Sequence, residues 1–123
     1  MTPAEKPVVW MGSSRKDIGK LPEDVRREIG YVLDKVQHGE GHPSIKPLTG
    51  KDLSGVQEIR TDYDRDTYRA VYVLNLGDHI FMLHVFQKKS KKGSETPKPD
   101  MDKIRSRLKQ ARTLAKELDD EQK

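Results

Sequence analysis

The side chains best suited to chemistry are cations. Arg60 and Arg69 fall in the runs VQEIRT (56–61) and TYRAVYVLNL (67–76). Four lysines, Lys88, Lys89, Lys91 and Lys92, crowd five positions directly after Phe86 and Gln87. An arginine inside an apolar strand is costly unless it meets an acid or opens onto a concave face. Arg69 is such a residue, and Glu58 on the preceding run is an acid within reach of it. Two readings stay open for Arg69: a salt-bridged strand arginine, or a contact to phosphate. Cations aimed at a phosphorus under attack by the neighbouring ribose 2′-hydroxyl would stabilise the charge that develops there, without a metal. Proton transfer at the entering and leaving oxygens then needs a group of shifted pKa, a lysine among cations or a histidine. Phe86, Tyr68 and Tyr72 can stack on an unpaired base, although aromatics at strand spacing are more often core. Gln87, Lys91 and Lys92 would extend such a surface. Lys46 and Lys51 are either solvated loop residues or further backbone contacts.

Other chemistries find little support. His38, His42, His79 and His84 have no ligand-like spacing, and the chain has no cysteine, so neither a metal site nor a disulfide is expected. His84 reads as a packed strand histidine in preference to a proton shuttle, although its position near the cations keeps the second role open. No glycine loop of the phosphate-cradling kind is present, and no nucleophile elbow. The serines around Ser13 and Ser90 look like cap and loop residues. No cofactor is expected.

Charge supports an anionic partner without proving one. Charged residues make up 36% of the 123, with a net charge of +4. From Lys88 to Lys116 eleven Lys and Arg face three acids, an excess of eight, so the rest of the chain is net negative by four. Such asymmetry suits a polyanion or an acidic protein segment, and a solvated face is the plain alternative. No apolar run approaches the length of a membrane span, and the N-terminus lacks the apolar core of a signal peptide, so a cytoplasmic protein is expected.

The elements that must position these residues follow from pattern. PVVWM (7–11) reads as a first strand, and Ser13 or Ser14 opens a short helix to Ile18 that Gly19 ends. Pro22 begins a longer helix whose stripe is Val25, Ile29, Val32, Leu33 and Val36, stopping at Gly39 and Gly41. Residues 42–55 carry two prolines and two glycines and read as a long loop. Strands over 56–61, 67–76 and 79–88 follow as a meander, with turns at YDRD and Gly77-Asp78. Strict alternation puts Arg69, Val71 and Val73 on one face, and Ile80, Met82, His84 and Phe86 together on one side of the last strand. After a loop over 90–99, Asp100 caps a last helix with its stripe at Met101, Ile104, Leu108, Ala111, Ala115 and Leu118. The order β-α-α-β-β-β-α gives an α+β fold in a single domain over 1–123, core about 7–118, with a frayed tail.

At YRAVYVLNLGDHIFMLHVFQKKSKKGSETPKPDMDKIRSRL the sequence resembles the phage-derived Gp49-like (HigB-type) toxins of the RelE/ParE superfamily. LPEDVRREIG (21–30), the HPSIKPLTG loop and the VQEIR strand add to the likeness, which spans about residues 8–112. The resemblance implies a twisted antiparallel sheet of about four strands, two N-terminal helices on one face and a C-terminal helix beside it. It also implies the toxin of a type II toxin–antitoxin pair: a ribosome-dependent mRNA endonuclease needing no metal, neutralised by a helix-turn-helix, HigA-like antitoxin. Arg69 matches the phosphate-stabilising arginine of the family's Y-R strand, and Gln87, Lys88 and Lys89 match the basic end of its last strand. Arg60 matches an arginine often found in the E-I-x strand. Two other classes stay open: a toxin that blocks a protein such as DNA gyrase, as the ParE branch does, and a plain RNA-binding module.

Overall fold

The computed structural model of the protein describes residues 5–88 and 96–121. Runs of Val, Tyr, Ile and Phe give the three longest strands, β3 (Val56–Tyr63), β4 (Asp66–Leu76) and β5 (His79–Lys88), the meander expected from sequence; the other elements are β1 (Val8–Trp10), α1 (Ser14–Gly19), α2 (Glu23–Gln37), β2 (Ile45–Pro47) and α3 (Lys98–Glu121). The β3–β4 turn places Asp64 and Arg65 at φ 49° and 71°, the left-handed pair that a two-residue hairpin turn on twisted strands requires. It does so without a glycine.

The sheet has five strands in the order β1-β5-β4-β3-β2, not four. The additional strand, β2, lies within the stretch expected to be a loop. Its three residues have no alternation of their own, and pairing of Ile45 with Ile59 and Pro47 with Gln57 is what makes them a strand. Nor is the sheet wholly antiparallel. α1 and α2 carry the chain from β1 towards the far edge, and the meander returns to lay β5 parallel to β1, with Val8 opposite Ile80 and Trp10 opposite Met82.

Both faces of the sheet are covered. On one, the α2 stripe Val25, Ile29, Val32, Leu33 and Val36 packs with Ile59, Tyr68, Ala70, Tyr72, Ile80, Met82 and Val85, and Ile18 of α1 joins its edge. On the other, Ile104, Leu108 and Ala111 of α3 pack on Val71, Val73, Phe81, Leu83 and Phe86. The last helix thus lies on the opposite face of the sheet from α2. Each fully buried aliphatic side chain contributes roughly 1.5–3 kcal/mol, so α3 is held mainly by Ile104 and Leu108.

Strict alternation fails in β5. Val71 pairs with His84 but Tyr72 pairs with Met82, so Leu83 is an extra residue. The bulge lets Phe81 and Leu83 share the α3 face with His84 and Phe86, whereas an unbroken period of two would separate these pairs. α3 also begins two residues before Asp100, which therefore lies inside its first turn and does not cap it. Among the described residues no helix is long and apolar enough to cross a membrane.

Candidate functional site

Residues opposite one another on neighbouring strands share a face, with Cβ atoms roughly 4.5–5.5 Å apart. On the α3 face, towards one end of the sheet, β3, β4 and β5 contribute three successive rows: Glu58, Val71 and His84; then Arg60, Arg69 and Phe86; then Asp62, Thr67 and Lys88. Arg60 and Arg69 therefore stand directly opposite, an arrangement that like charges disfavour unless an anion lies between them.

Glu58 supplies that anion. Its Oε2 lies 3.4 Å from Arg69 Nη1 and its Oε1 lies 3.6 Å from Arg60 Nε, one oxygen to each guanidinium. The side chain of Arg69 is 0% exposed and that of Glu58 5%, while Arg60 keeps 34% of its surface open to solvent. Arg69 also donates from Nη1 to Thr96 Oγ1 at 3.4 Å, so the segment entering α3 closes over it. Burial pushes the Glu58 carboxyl above its usual range, opposed by Arg69, Arg60 and Lys88 in that order. Burial likewise lowers the pKa of Arg69, opposed by Glu58, yet a guanidinium stays charged at any ordinary pH.

A second network adjoins the first. His84 Nε2 lies 2.7 Å from Asp100 Oδ1, and Arg107 Nη1 lies 3.3 Å from His84 Nδ1. A guanidinium can only donate, so Nδ1 accepts and the proton sits on Nε2, donated to Asp100. Burial lowers the pKa of His84; Asp100 opposes this, while Arg107 and Lys103 add to it. With both ring nitrogens engaged and the ring stacked on Phe86 at 4.7 Å between centroids, His84 is a packed, neutral histidine. It fixes the Phe86 ring beside Arg69. Arg107 in turn donates to Leu83 O at 2.9 Å and to Ser13 Oγ at 3.2 Å, tying α3 to the bulge and to the start of α1. Gly12 lies against that guanidinium: a Cβ there would fall 2.5 Å from Arg107 Nε.

The structure brings Arg60, Arg69, Phe86 and Lys88 to one face and one end of the sheet. Lys88 is 4% exposed, and Phe86, at 8%, is part of the core. Lys46, expected in a loop, is the β2 partner of Glu58 and hence on the same face, exposed. Gln87 pairs with Tyr68 and faces the other way, towards the α2 layer. Lys51 is exposed in the turn before β3, on the far side of the strand's start at Val56, which itself lies about 13 Å along the strand from Arg60. Lys89, Lys91 and Lys92 lie outside the described residues. The groups that sequence reasoning missed are Thr96, Asp100 and Arg107. Asp100, Ile104 and Arg107 follow one helical stripe, and that spacing was the available signal for the last two.

Fold and site together define a small α+β domain that carries paired cations over the end of a largely antiparallel sheet. The chain belongs to the phage-derived Gp49-like family: the family described as "Phage derived protein Gp49-like (DUF891)" matches residues 16–109, a span that holds the strand cations, Glu58 and the whole His84–Asp100–Arg107 network. Among solved structures, a chain of the toxin–antitoxin complex RelBE2 from Mycobacterium tuberculosis is similar at 21% identity and a TM-score of 0.49, over 68% of this chain and 99% of that one. No curated protein matches.

Proposed function

We propose that this chain is the toxin of a type II toxin–antitoxin pair and that it cuts mRNA on the ribosome. The observation that carries this is the pair of guanidiniums from adjacent strands sharing one carboxylate, Arg69 buried and Arg60 open to solvent. Membership of the Gp49-like family and the likeness of the YRAVY and VFQKKSKK sequences to HigB-type toxins support it. In the reaction the ribose 2′-oxygen attacks its own phosphorus and loses a proton. The 5′-oxygen leaves and gains one, giving a 2′,3′-cyclic phosphate. Arg69 and Arg60 stabilise the added charge on the phosphorane, an effect worth about 10²–10³ in rate for a single preorganised donor. Lys88, or Lys89 beyond it, serves the leaving oxygen. Phe86 shapes the floor under Arg69. The partner is a small helix-turn-helix antitoxin that masks the basic surface, and the site of action is the cytoplasm.

Primer extension on a reporter mRNA in a cell-free translation reaction tests this, with naked RNA as control. Wild type should give new 5′ ends on translated message alone. Arg60→Ala, at a half-exposed position, should lower their yield about 10²-fold while leaving the melting temperature nearly unchanged. Arg69→Ala should abolish them, read beside Arg69→Lys because removing the buried guanidinium also leaves Glu58 short of a partner. Undisturbed translation with no new ends would refute the nuclease reading.

A further inference from the structure

We propose that Glu58 is an internal stand-in for the substrate phosphate, occupying its site in the free protein and yielding to it on binding. This rests on the reading of Arg60 and Arg69 as the phosphate site. The carboxylate does what a phosphodiester would do there, presenting one oxygen to each of two guanidiniums on neighbouring strands. Its grip is loose. Contacts of 3.4 and 3.6 Å fall well outside the ~2.7–2.9 Å of a tight charge-assisted bond, so the guanidiniums are shared with Glu58 and not clamped by it. Its ionised form is also the costly one, because burial works against it.

A phosphodiester cannot share this space with a second anion. Both would compete for the same donors, and like charges at such range disfavour each other. The fold provides somewhere for the carboxylate to go. Lys46 is its cross-strand partner on β2, on the same face and in solvent, so rotation of the Glu58 side chain towards the sheet edge exchanges Arg60 and Arg69 for an ammonium. The free protein is thereby kept from binding stray anions weakly, and two arginines are kept aligned without substrate.

The test is binding of a 2′-deoxy tetranucleotide, which offers phosphodiesters but no nucleophile, measured by calorimetry at fixed low salt. Glu58→Gln should bind at least tenfold more tightly than wild type, and adding Arg60→Ala should erase the gain. Equal or weaker binding by Glu58→Gln overturns the proposal, and so does a gain that survives loss of Arg60. If Glu58→Gln does not fold, Glu58→Asp, which withdraws the carboxylate by one methylene, is measured instead and must bind more tightly than wild type. Cleavage of RNA is scored separately. Scission without the binding gain sinks this inference alone, whereas the gain without scission by wild type sinks the nuclease reading and leaves the inference standing.

Discussion

Arg107 is the side chain whose loss should loosen α3 most for the least change in packing. It is half-buried and joins three segments far apart in sequence: Leu83 O at 2.9 Å, His84 Nδ1 at 3.3 Å and Ser13 Oγ at 3.2 Å. Leu83 is the extra residue of the β5 bulge, so Arg107 serves a carbonyl at a point where the strand ladder is irregular. A hydrogen bond to a charged group is worth roughly 1.5–3 kcal/mol net, and the two longer contacts add little. Arg107→Ala should therefore cost about 2–3 kcal/mol. Against a total stability of roughly 5–15 kcal/mol this is a large fraction. With a urea slope of about 1–3 kcal/mol/M, the denaturation midpoint should fall by about 1 M at unchanged slope. Arg107→Lys should recover part of the loss, since an ammonium can reach one of the three acceptors but not span them. A midpoint shift under about 0.2 M in Arg107→Ala would refute the view that this guanidinium holds α3 to the sheet.

Gly12→Ala should destabilise by at least about 1 kcal/mol in the same assay, since φ there is +53° and the new Cβ would press on Arg107 Nε. The penalty should shrink in an Arg107→Ala background, and purely additive costs would show that the contact does not matter. The pH dependence of folding should carry the mark of His84. Its folded pKa lies below the usual value near 6.5, so below that pH the unfolded chain takes up a proton that the native state refuses. The contribution of neutral His84 is thus whole above about pH 6.5 and is lost as pH falls. The exposed His38, raised chiefly by its hydrogen bond to the Asp34 carbonyl, acts in the opposite sense, so the quantity to follow is wild type minus His84→Gln, in which His38 cancels. That difference in melting temperature should shrink from pH 7 to pH 5, and a constant difference would refute the assignment.

Legibility from sequence followed the strength of the local signal. α2 and the β3–β4–β5 meander were readable because long apolar patterns determine which face is buried, whatever the partner. β2 was not, because a three-residue strand ending in Pro47 acquires its identity from Ile59, Glu58 and Gln57 across the gap. The bulge at Leu83 left no mark either: Leu83 and His84 are both plausible strand residues, and an inserted position shows only against a partner strand. In the site, the pairing of Arg69 with Glu58 was foreseeable from cost alone, since a buried guanidinium needs a counter-charge. The dyad of His84 and Asp100 was not. Asp100 suits a helix cap equally well, and only the docking angle of α3 decides that it turns inward to the sheet. The direction of β1 is a topological outcome of the crossover through α1 and α2, and no three-residue strand encodes it.

α3 is the last described element to leave the ribosome during synthesis, and it carries more than its own packing. Until it arrives, Phe81, Leu83 and Phe86 have no cover, Arg69 lacks the lid supplied by Thr96, and the ring of His84 has nothing to fix it. A nascent chain can build the α2 layer early, yet it cannot assemble the cation site until the C-terminal helix is free to fold back. Translation order thereby imposes a sequence on assembly: the α2 layer comes first, and the cations become aligned only once α3 has folded back onto the sheet.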